Sequence, residues 1–320
     1  MKAEAGTSGR RSEVRGQKSE VEGFMKSGIF VGRLRILTAL AVMLLISIYC
    51  RDSLGQAGKP PPPVPRRDTQ QWNDLQLIVP MTKKVDFILL GSLRLGRNLT
   101  RPVEERIGIS FSVNPTKSVS LAPSYLHIER QPSAGRDFFE DRVALTATFK
   151  PNKYVSFAPS FLYINRHFSI GQSDLEKRPS MAVTFTVPRS RFTLSDRNMV
   201  ERRFRQPQGN STRYRNLLQL QYPVVARGTK LTLLVSDEVT YDSAFNAWVR
   251  NRFLAGFRKQ INKQCSADVY YLRQNDGRAR ALPGDFSVIG LFLAFRLGGP
   301  INARDKQRQL DRLDDADDDR

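Results

Sequence analysis

From Gln71 to Leu297 the chain repeats one pattern: an apolar side chain at every second position, in runs of about 10 to 14 residues separated by turn-forming residues. Ile107, Ile109, Phe111 and Val113 alternate with Arg106, Gly108, Ser110 and Ser112. Val143, Leu145, Ala147 and Phe149 alternate with Arg142, Ala144, Thr146 and Thr148, and Met181, Val183, Phe185 and Val187 with Ser180, Ala182, Thr184 and Thr186. Ile289, Leu291, Leu293, Phe295 and Leu297 form the apolar face of a last run. A period of two puts each apolar set on one face of a strand. Strands of soluble sandwiches average about five or six residues. Runs twice as long, with one apolar and one polar face, match strands that cross a membrane. The expected fold is all-β: an antiparallel transmembrane β-barrel of about 12 strands.

The beginning of the chain predicts export. Ile36 to Cys50 is an apolar run preceded by Lys26, Arg33 and Arg35. It falls short of the about 20 residues a spanning helix needs and has the organisation of a secretory signal peptide. Gly55-Gln-Ala57 offers small residues for cleavage, which bounds the signal at residues 1–57, with Met25 as a candidate true start. Export predicts the outer membrane of a Gram-negative-type bacterium. It also removes nucleic acid as the explanation for 51 Lys plus Arg against 31 Asp plus Glu, leaving anionic lipid or an anionic solute. Cys265 then has no intrachain partner, so the fold stands without a disulfide. Residues 58–84 read as a Pro-rich linker and an accessory strand at Trp72–Pro80, residues 85–297 as the barrel, and residues 298–320 as an acidic periplasmic tail.

The connections give a topology. Short links are expected at Asn114–Lys117, Lys150–Lys153, Pro188–Ser190, Val224–Thr229 and Ile261–Lys263, and longer ones at Gly96–Val103, Gln131–Asp137, His167–Lys177, Gln206–Thr212, Asp242–Asn246 and Asn275–Gly284. Outer-membrane barrels put short turns in the periplasm and use an even number of strands. Counting from Val85 gives twelve strands with both termini periplasmic; Trp72–Pro80 would make the number odd and is placed outside the ring. Pro115 to Arg130 reappears as Pro151 to Arg166, a repeat of one hairpin at a spacing of 36. Pro123 and Pro159 inside these strands each remove a ladder donor and are expected at bulges.

Charged residues collect toward the ends of the strands nearest the longer links, in phase opposite the apolar face. The set is Arg94, Glu104, Arg106, Glu140, Arg142, Arg166, Arg178, Arg197, Glu201, Arg203, Arg213, Arg215, Glu238, Arg250 and Arg252. A charge facing lipid costs about 2–4 kcal/mol at the midplane, so the set is expected to line the lumen as a collar. Opposed unlike charges on neighbouring strands brace a wall. Yet arginines outnumber glutamates here by more than two to one. An arginine-rich lumen prefers anions and grips carboxylates bidentately. Two readings stay open: an anion-preferring channel for small acidic solutes or oligosaccharides, and an occluded structural barrel with a luminal salt-bridge ladder. Asp196 falls in phase with Phe192, Leu194 and Val200, toward lipid, which predicts a bulge or a different register there.

Leu194-Ser-Asp-Arg-Asn198, Glu201-Arg-Arg203, Arg213-Tyr-Arg-Asn216, Ser236-Asp-Glu238, Arg250-Asn-Arg252 and Tyr270-Tyr-Leu-Arg-Gln-Asn275, in that order, resemble an uncharacterised bacterial family of outer-membrane β-barrels catalogued as a domain of unknown function. The resemblance spans roughly residues 71–297 and implies a fold, not an activity. In architecture the chain is also similar to porins for acidic oligosaccharides. A third reading is an outer-membrane acyl-ester hydrolase acting on lipid A or phospholipid: His167-Phe-Ser169 with Glu176 is similar to the His-x-Ser arrangement of lipid A deacylases. The 36-residue repeat puts Gln131-Pro-Ser133 at the equivalent position, so no catalytic residue and no enzyme activity are expected. Metal-ligand clusters, paired catalytic carboxylates and phosphate-binding glycine loops are missing, and no cofactor is expected. The expected partners are outer-membrane lipid and lipopolysaccharide, the barrel-assembly machinery and anionic small solutes, for a monomer.

Overall fold

A computed structural model describes residues 67–301 apart from 132–136, 169–172, 189–190, 227 and 277–284. The signal peptide, most of the Pro-rich linker, Ser133, Ser169 and the acidic tail beyond residue 301 lie outside the described residues. Thirteen strands follow one another: β1 (Arg67–Pro80), β2 (Val85–Gly96), β3 (Arg101–Val113), β4 (Val119–Arg130), β5 (Phe138–Phe149), β6 (Val155–Phe168), β7 (Asp174–Pro188), β8 (Thr193–Gln206), β9 (Ser211–Ala226), β10 (Thr229–Asp242), β11 (Ala247–Asn262), β12 (Cys265–Asp276) and β13 (Asp285–Arg296). Each pairs antiparallel with the next, and β1 pairs with β13 to close the ring. The all-β barrel expected from the alternation is borne out.

The strand count differs by one, and β1 is the reason. The segment placed outside the ring is a wall strand, antiparallel to β2 and parallel to β13 from Arg67↔Asp285 to Ile78↔Arg296. Its inward positions Asp68, Gln70, Trp72, Gln76 and Ile78 are buried in the interior. A parallel ladder satisfies backbone groups about as well as an antiparallel one. Closure without an exposed edge is what a lipid environment demands; even parity is only the usual way to reach it. One consequence is topological. β1 starts at the end where the longer links lie, whereas β13 finishes at the other, so the barrel's first and last strands open on opposite ends rather than on one side.

The alternation sets the two faces. Ile107, Phe111, Val143, Leu145, Met181, Phe185, Val200, Leu218, Phe257 and Ile289 are exposed on the outside, while the intervening residues are buried or line the interior. At about 3.3 Å per residue and a tilt near 45°, strands of this length overreach an apolar band of about 25 Å. Pro123 and Pro159 do not make bulges. Ser110↔Ser124 resumes as Val113↔Leu121, and Thr146↔Ser160 as Phe149↔Phe157, so bonds to the preceding strand are lost while the register is kept. The register shifts lie elsewhere, at Arg94/Leu95, Thr240/Tyr241 and Gln260/Asn262.

The lumen is divided. Along β10 to β13 and β1 the inward residues Leu234, Leu254, Leu272, Phe286, Val288, Phe292 and Trp72 make an apolar core with Tyr270 and Ile301. Two glycines let Tyr270 lie flat against the wall. It pairs with Gly256 on one side and Gly290 on the other. A Cβ on Gly290 would sit 2.0 Å from the Tyr270 ring, and one on Gly256 would sit 2.5 Å from the Val269 carbonyl. Along β3 to β8, toward the ends with the short links, many of the inward residues are Ser, Thr or Ala, and there the interior is open.

Candidate functional site

All fifteen residues of the expected collar lie on the inner face. They are not one ring of equivalent charges. Each carboxylate is the centre of its own arginine cluster, and the 36-residue repeat generates three of these clusters. On β3, Glu104 meets Arg94 at 3.2 Å, Arg130 at 2.6 Å, and Arg106 two residues along its own strand. On β5, Glu140 meets Arg142 and, at 2.6 Å, Arg166. On β7, Glu176 meets Arg178 at 3.0 Å, Arg203 at 2.5 Å and Arg166 at 3.5 Å. Glu104, Glu140 and Glu176 stand one repeat apart, as do Arg106, Arg142 and Arg178. Residues i and i+2 share a face of a strand, so Glu-x-Arg delivers both charges inward, and the partner arginine comes from the adjacent strand.

Beyond the repeat the logic continues with different spacing. Glu238 on β10 meets Arg215 on β9 at 2.8 Å, Arg197 on β8 at 3.8 Å and Arg252 on β11 at 4.0 Å. Arg252 also donates to Gln274 Oε1 at 2.6 Å. Glu201 lies 3.9 Å from Arg178. Arg213 pairs with Asp242 at 3.3 Å rather than with Glu238, and Arg203 bridges to the same Asp242 at 3.5 Å. Arg250 pairs with Asp276 at 2.7 Å. Arg94 also lies over the Trp72 ring, 3.7 Å from its centroid, which ties the collar to the apolar core.

Several members escaped the sequence reading. Arg130 was seen only as the end of a repeat, Glu176 only as a candidate catalytic carboxylate, and Asp242 and Asp276 only as link residues. Glu-x-Arg at a spacing of 36 is the signal that finds Glu176. Near the other end, Arg258–Asp268 at 2.5 Å and Arg296–Asp86 at 2.8 Å are luminal ion pairs outside the expected collar.

Below the collar is a cavity of about 530 Å³. Its ceiling contains Arg106, Arg142, Arg178, Arg197 and Arg215 with Glu201. Its walls carry hydroxyls, among them Ser110, Ser124, Thr146, Ser160, Ser180 and Thr184, and it reaches the exposed link residues Lys117 and Lys150. Ser160 and Ser180 hydroxyls face each other at 2.8 Å. At the collar the interior closes: Arg94, Arg178, Glu140, Glu176 and Glu238 are each at most 3 % exposed. Among the described residues no group of His, Cys, Asp and Glu has the geometry to hold a metal ion.

The outer face carries its own polar groups. Asp196 does face outward, and no bulge resets β8: its pairing with β7 and β9 runs in unbroken phase. Its carboxylate accepts from Asn216 Nδ2 at 2.6 Å and Asn198 Nδ2 at 3.1 Å, and Tyr214 donates to Asn198 Oδ1 at 2.5 Å. The family-like motifs therefore serve both faces: Arg197, Arg203, Arg213, Arg215, Arg250 and Arg252 turn in, while Asp196, Asn198, Tyr214 and Asn216 turn out. His127 and His167 are also outside. His127 Nδ1 lies 2.8 Å from Asp141, which also accepts from the Tyr125 hydroxyl at 2.6 Å, and His167 stacks on Phe139. Glu176 points into the lumen, so it and His167 stand on opposite faces of the wall, and Ser169 lies outside the described residues.

Residues 134–281 match the family described as Protein of unknown function (DUF2490). The DUF2490 match is narrower than the span 71–297, but it contains every motif quoted above, from Leu194 to Asn275. No curated protein matches the chain. Similar solved structures include LpxR from Salmonella typhimurium, at 7% identity and a TM-score of 0.39 over 57% of this chain and 85% of that one. The β domain of the Bordetella autotransporter BrkA is 12% identical with a TM-score of 0.38, over 71% and 94% of the two chains. An anion-selective porin from Comamonas acidovorans is 9% identical with a TM-score of 0.35, over 68% and 83%. No residue's role transfers to this chain at such identities.

Proposed function

We propose that this chain is an outer-membrane barrel that admits small anionic, hydroxyl-bearing solutes into its luminal cavity, with the charged collar as a closed gate above them. The observation that carries this reading is the charge at the top of the cavity, five arginines against the two carboxylates Glu201 and Asp74. A volume of about 530 Å³ falls within the usual range for small-molecule sites. Guanidinium groups above a hydroxyl-rich wall suit a carboxylate attached to a polyol, such as a uronic acid. The buried collar favours a gated path over a permanently wet pore, and no catalytic role is assigned to any residue.

The test is binding and conductance on the same preparation. Reconstituted barrel is expected to show little conductance at rest and anion preference in whatever openings occur. A hexuronate is expected to raise its thermal stability where the neutral hexose does not. Replacing Ser180 with Leu, which fills the cavity wall below the arginines, should abolish that stabilisation. Cation-selective openings, or equal shifts with acid and neutral sugar, would overturn the proposal. An unaltered barrel with neither conductance nor any sugar response would leave the occluded structural barrel as the better reading.

A further inference from the structure

The outer face of the β7–β8 hairpin differs from the rest of the rim. At the end near the longer links, Leu175, Lys177, Phe204, Arg205, Gln206 and Asn210 line a groove of about 440 Å³. Lys177 and Phe204 are paired across the two strands and both are exposed. Arg202, two residues from Phe204 on the same face, lies with its guanidinium 5.6 Å from that ring and donates to the Thr212 hydroxyl at 2.9 Å. Arg205 donates to the Gly209 carbonyl at 3.0 Å and the Ser211 hydroxyl at 3.2 Å.

Arg205 is in the inward phase of β8, opposite Glu176, and only its end reaches the groove; the two outward cations, Lys177 and Arg202, have no carboxylate within ion-pair distance among the described residues. Asp174, at the start of β7, accepts instead from Gln208 at 2.7 Å. The contrast with other outward charges is local: Arg273 faces Asp285 at 3.6 Å, and His127 faces Asp141. One step further toward the middle of the wall the face turns apolar, with Met181 paired to Val200 and both about half exposed.

Cations above an apolar wall, with an aromatic ring between them, form a surface with two requirements. The upper part needs an anion to neutralise it, and the lower part needs hydrocarbon. We infer that the outer face at Lys177, Phe204 and Arg202 binds the phosphate of a membrane lipid, whose acyl chains run down over Met181 and Val200. This rests on reading the exposed apolar band as membrane-facing. Basic clusters at the membrane surface recognise anionic headgroups in this way, each cation contributing independently. A free phosphate would meet the cations but leave the apolar wall unused, which makes the lipid the better occupant.

The full-length barrel, purified in a non-ionic detergent, is offered phosphatidylglycerol, the matching diacylglycerol or inorganic phosphate, and retained ligand is read by native mass spectrometry. Phosphatidylglycerol should be retained roughly tenfold or more above diacylglycerol, as expected for two surface cations. Lys177→Gln with Arg202→Gln should remove that preference, while Arg273→Gln should not. Retention unaffected by the double substitution overturns the site, and so does complete competition by inorganic phosphate, which would make it a phosphate site without a lipid. Heat-shifted gel mobility confirms that each variant is folded. A wild-type barrel that inserts into vesicles but shows no lipid preference defeats the lipid site alone; one that fails to insert defeats the membrane reading beneath it.

Discussion

Glu238 offers the sharpest test of what the collar does for the fold. Its carboxylate is 3 % exposed and stands among Arg215, Arg197 and Arg252. Changing Glu238 to Gln keeps the shape and removes the charge, leaving three guanidinium groups crowded without the anion that holds them. Removing one partner of a buried ion pair costs about 3–5 kcal/mol, because the remaining charge cannot return to water. Part of this is recoverable here, since Arg252 keeps its bond to Gln274. The lower end, about 3 kcal/mol, is therefore the expected loss. Reversible urea unfolding in detergent, followed by gel mobility and tryptophan fluorescence, measures it. Asp237→Asn is the control, since Asp237 is the next residue and faces outward, where it accepts from Asn251. Adding Arg215→Met to Glu238→Gln should restore much of the loss, because an apolar side chain in place of a buried charge is close to neutral. A Glu238→Gln variant within about 0.5 kcal/mol of the parent would refute the reasoning, because that is the scatter of an ordinary surface substitution.

Other outcomes follow from the same geometry. Gly290→Ala should destabilise by about 1–3 kcal/mol through collision with the Tyr270 ring, and Tyr270→Ala in the same chain should relieve part of that loss, as read by urea midpoint. Asp196→Asn should leave folding intact and raise stability in bilayers by up to about 1 kcal/mol, since a carboxylate on the lipid face is the costly form and the amide keeps the network's shape. Epitope tags placed in the link at residues 97–100 and just before Arg67 should be accessible from the same side of the membrane, and a tag at Gly228 from the other; the reverse pattern for the Arg67 tag would contradict the parallel closure of β1 on β13.

Much of the fold was legible because a period of two is a strong local signal, and a wrong register would have turned Ile107 or Phe185 inward. β1 was misplaced for a reason that local sequence cannot repair. Its outward Leu75, Leu77 and Val79 carry the period of a wall strand; what excluded it was a parity rule, and parity is a property of the closed ring. Pro123 and Pro159 misled in the opposite sense: a missing donor on one side breaks pairing with one neighbour only, so the strand can keep its phase. The apolar half of the lumen was readable in part. Phe286, Val288, Phe292 and Ala294 are apolar at the positions opposite Ile289 and Leu291, and a strand apolar on both faces has hydrocarbon on one side and a packed core on the other. The partners in the collar were less legible, because register decides whether Arg213 meets Glu238 or Asp242, and it is the β9–β10 pairing that sets Arg213 opposite Asp242.

The repeat explains why the collar is cationic. Each copy contributes one Glu and one Arg two residues apart, and the pair alone would be neutral. The return strand adds a further arginine, Arg130 in the first copy and Arg166 in the second, and Arg203 takes that place beside Glu176. The hairpins β3–β4 and β5–β6 therefore each bring one carboxylate and two guanidinium groups to the same level of the lumen, and β7–β8 adds Glu201 as a second carboxylate. The second arginine can bridge two carboxylates, as Arg166 does between Glu140 and Glu176, but each added ion raises the desolvation cost and the like charges repel. The third charge is useful where something anionic shares the interior. The cavity beneath Arg106, Arg142 and Arg178 is bounded by these repeat arginines, and an acidic solute held there would meet the surplus that the repeat creates.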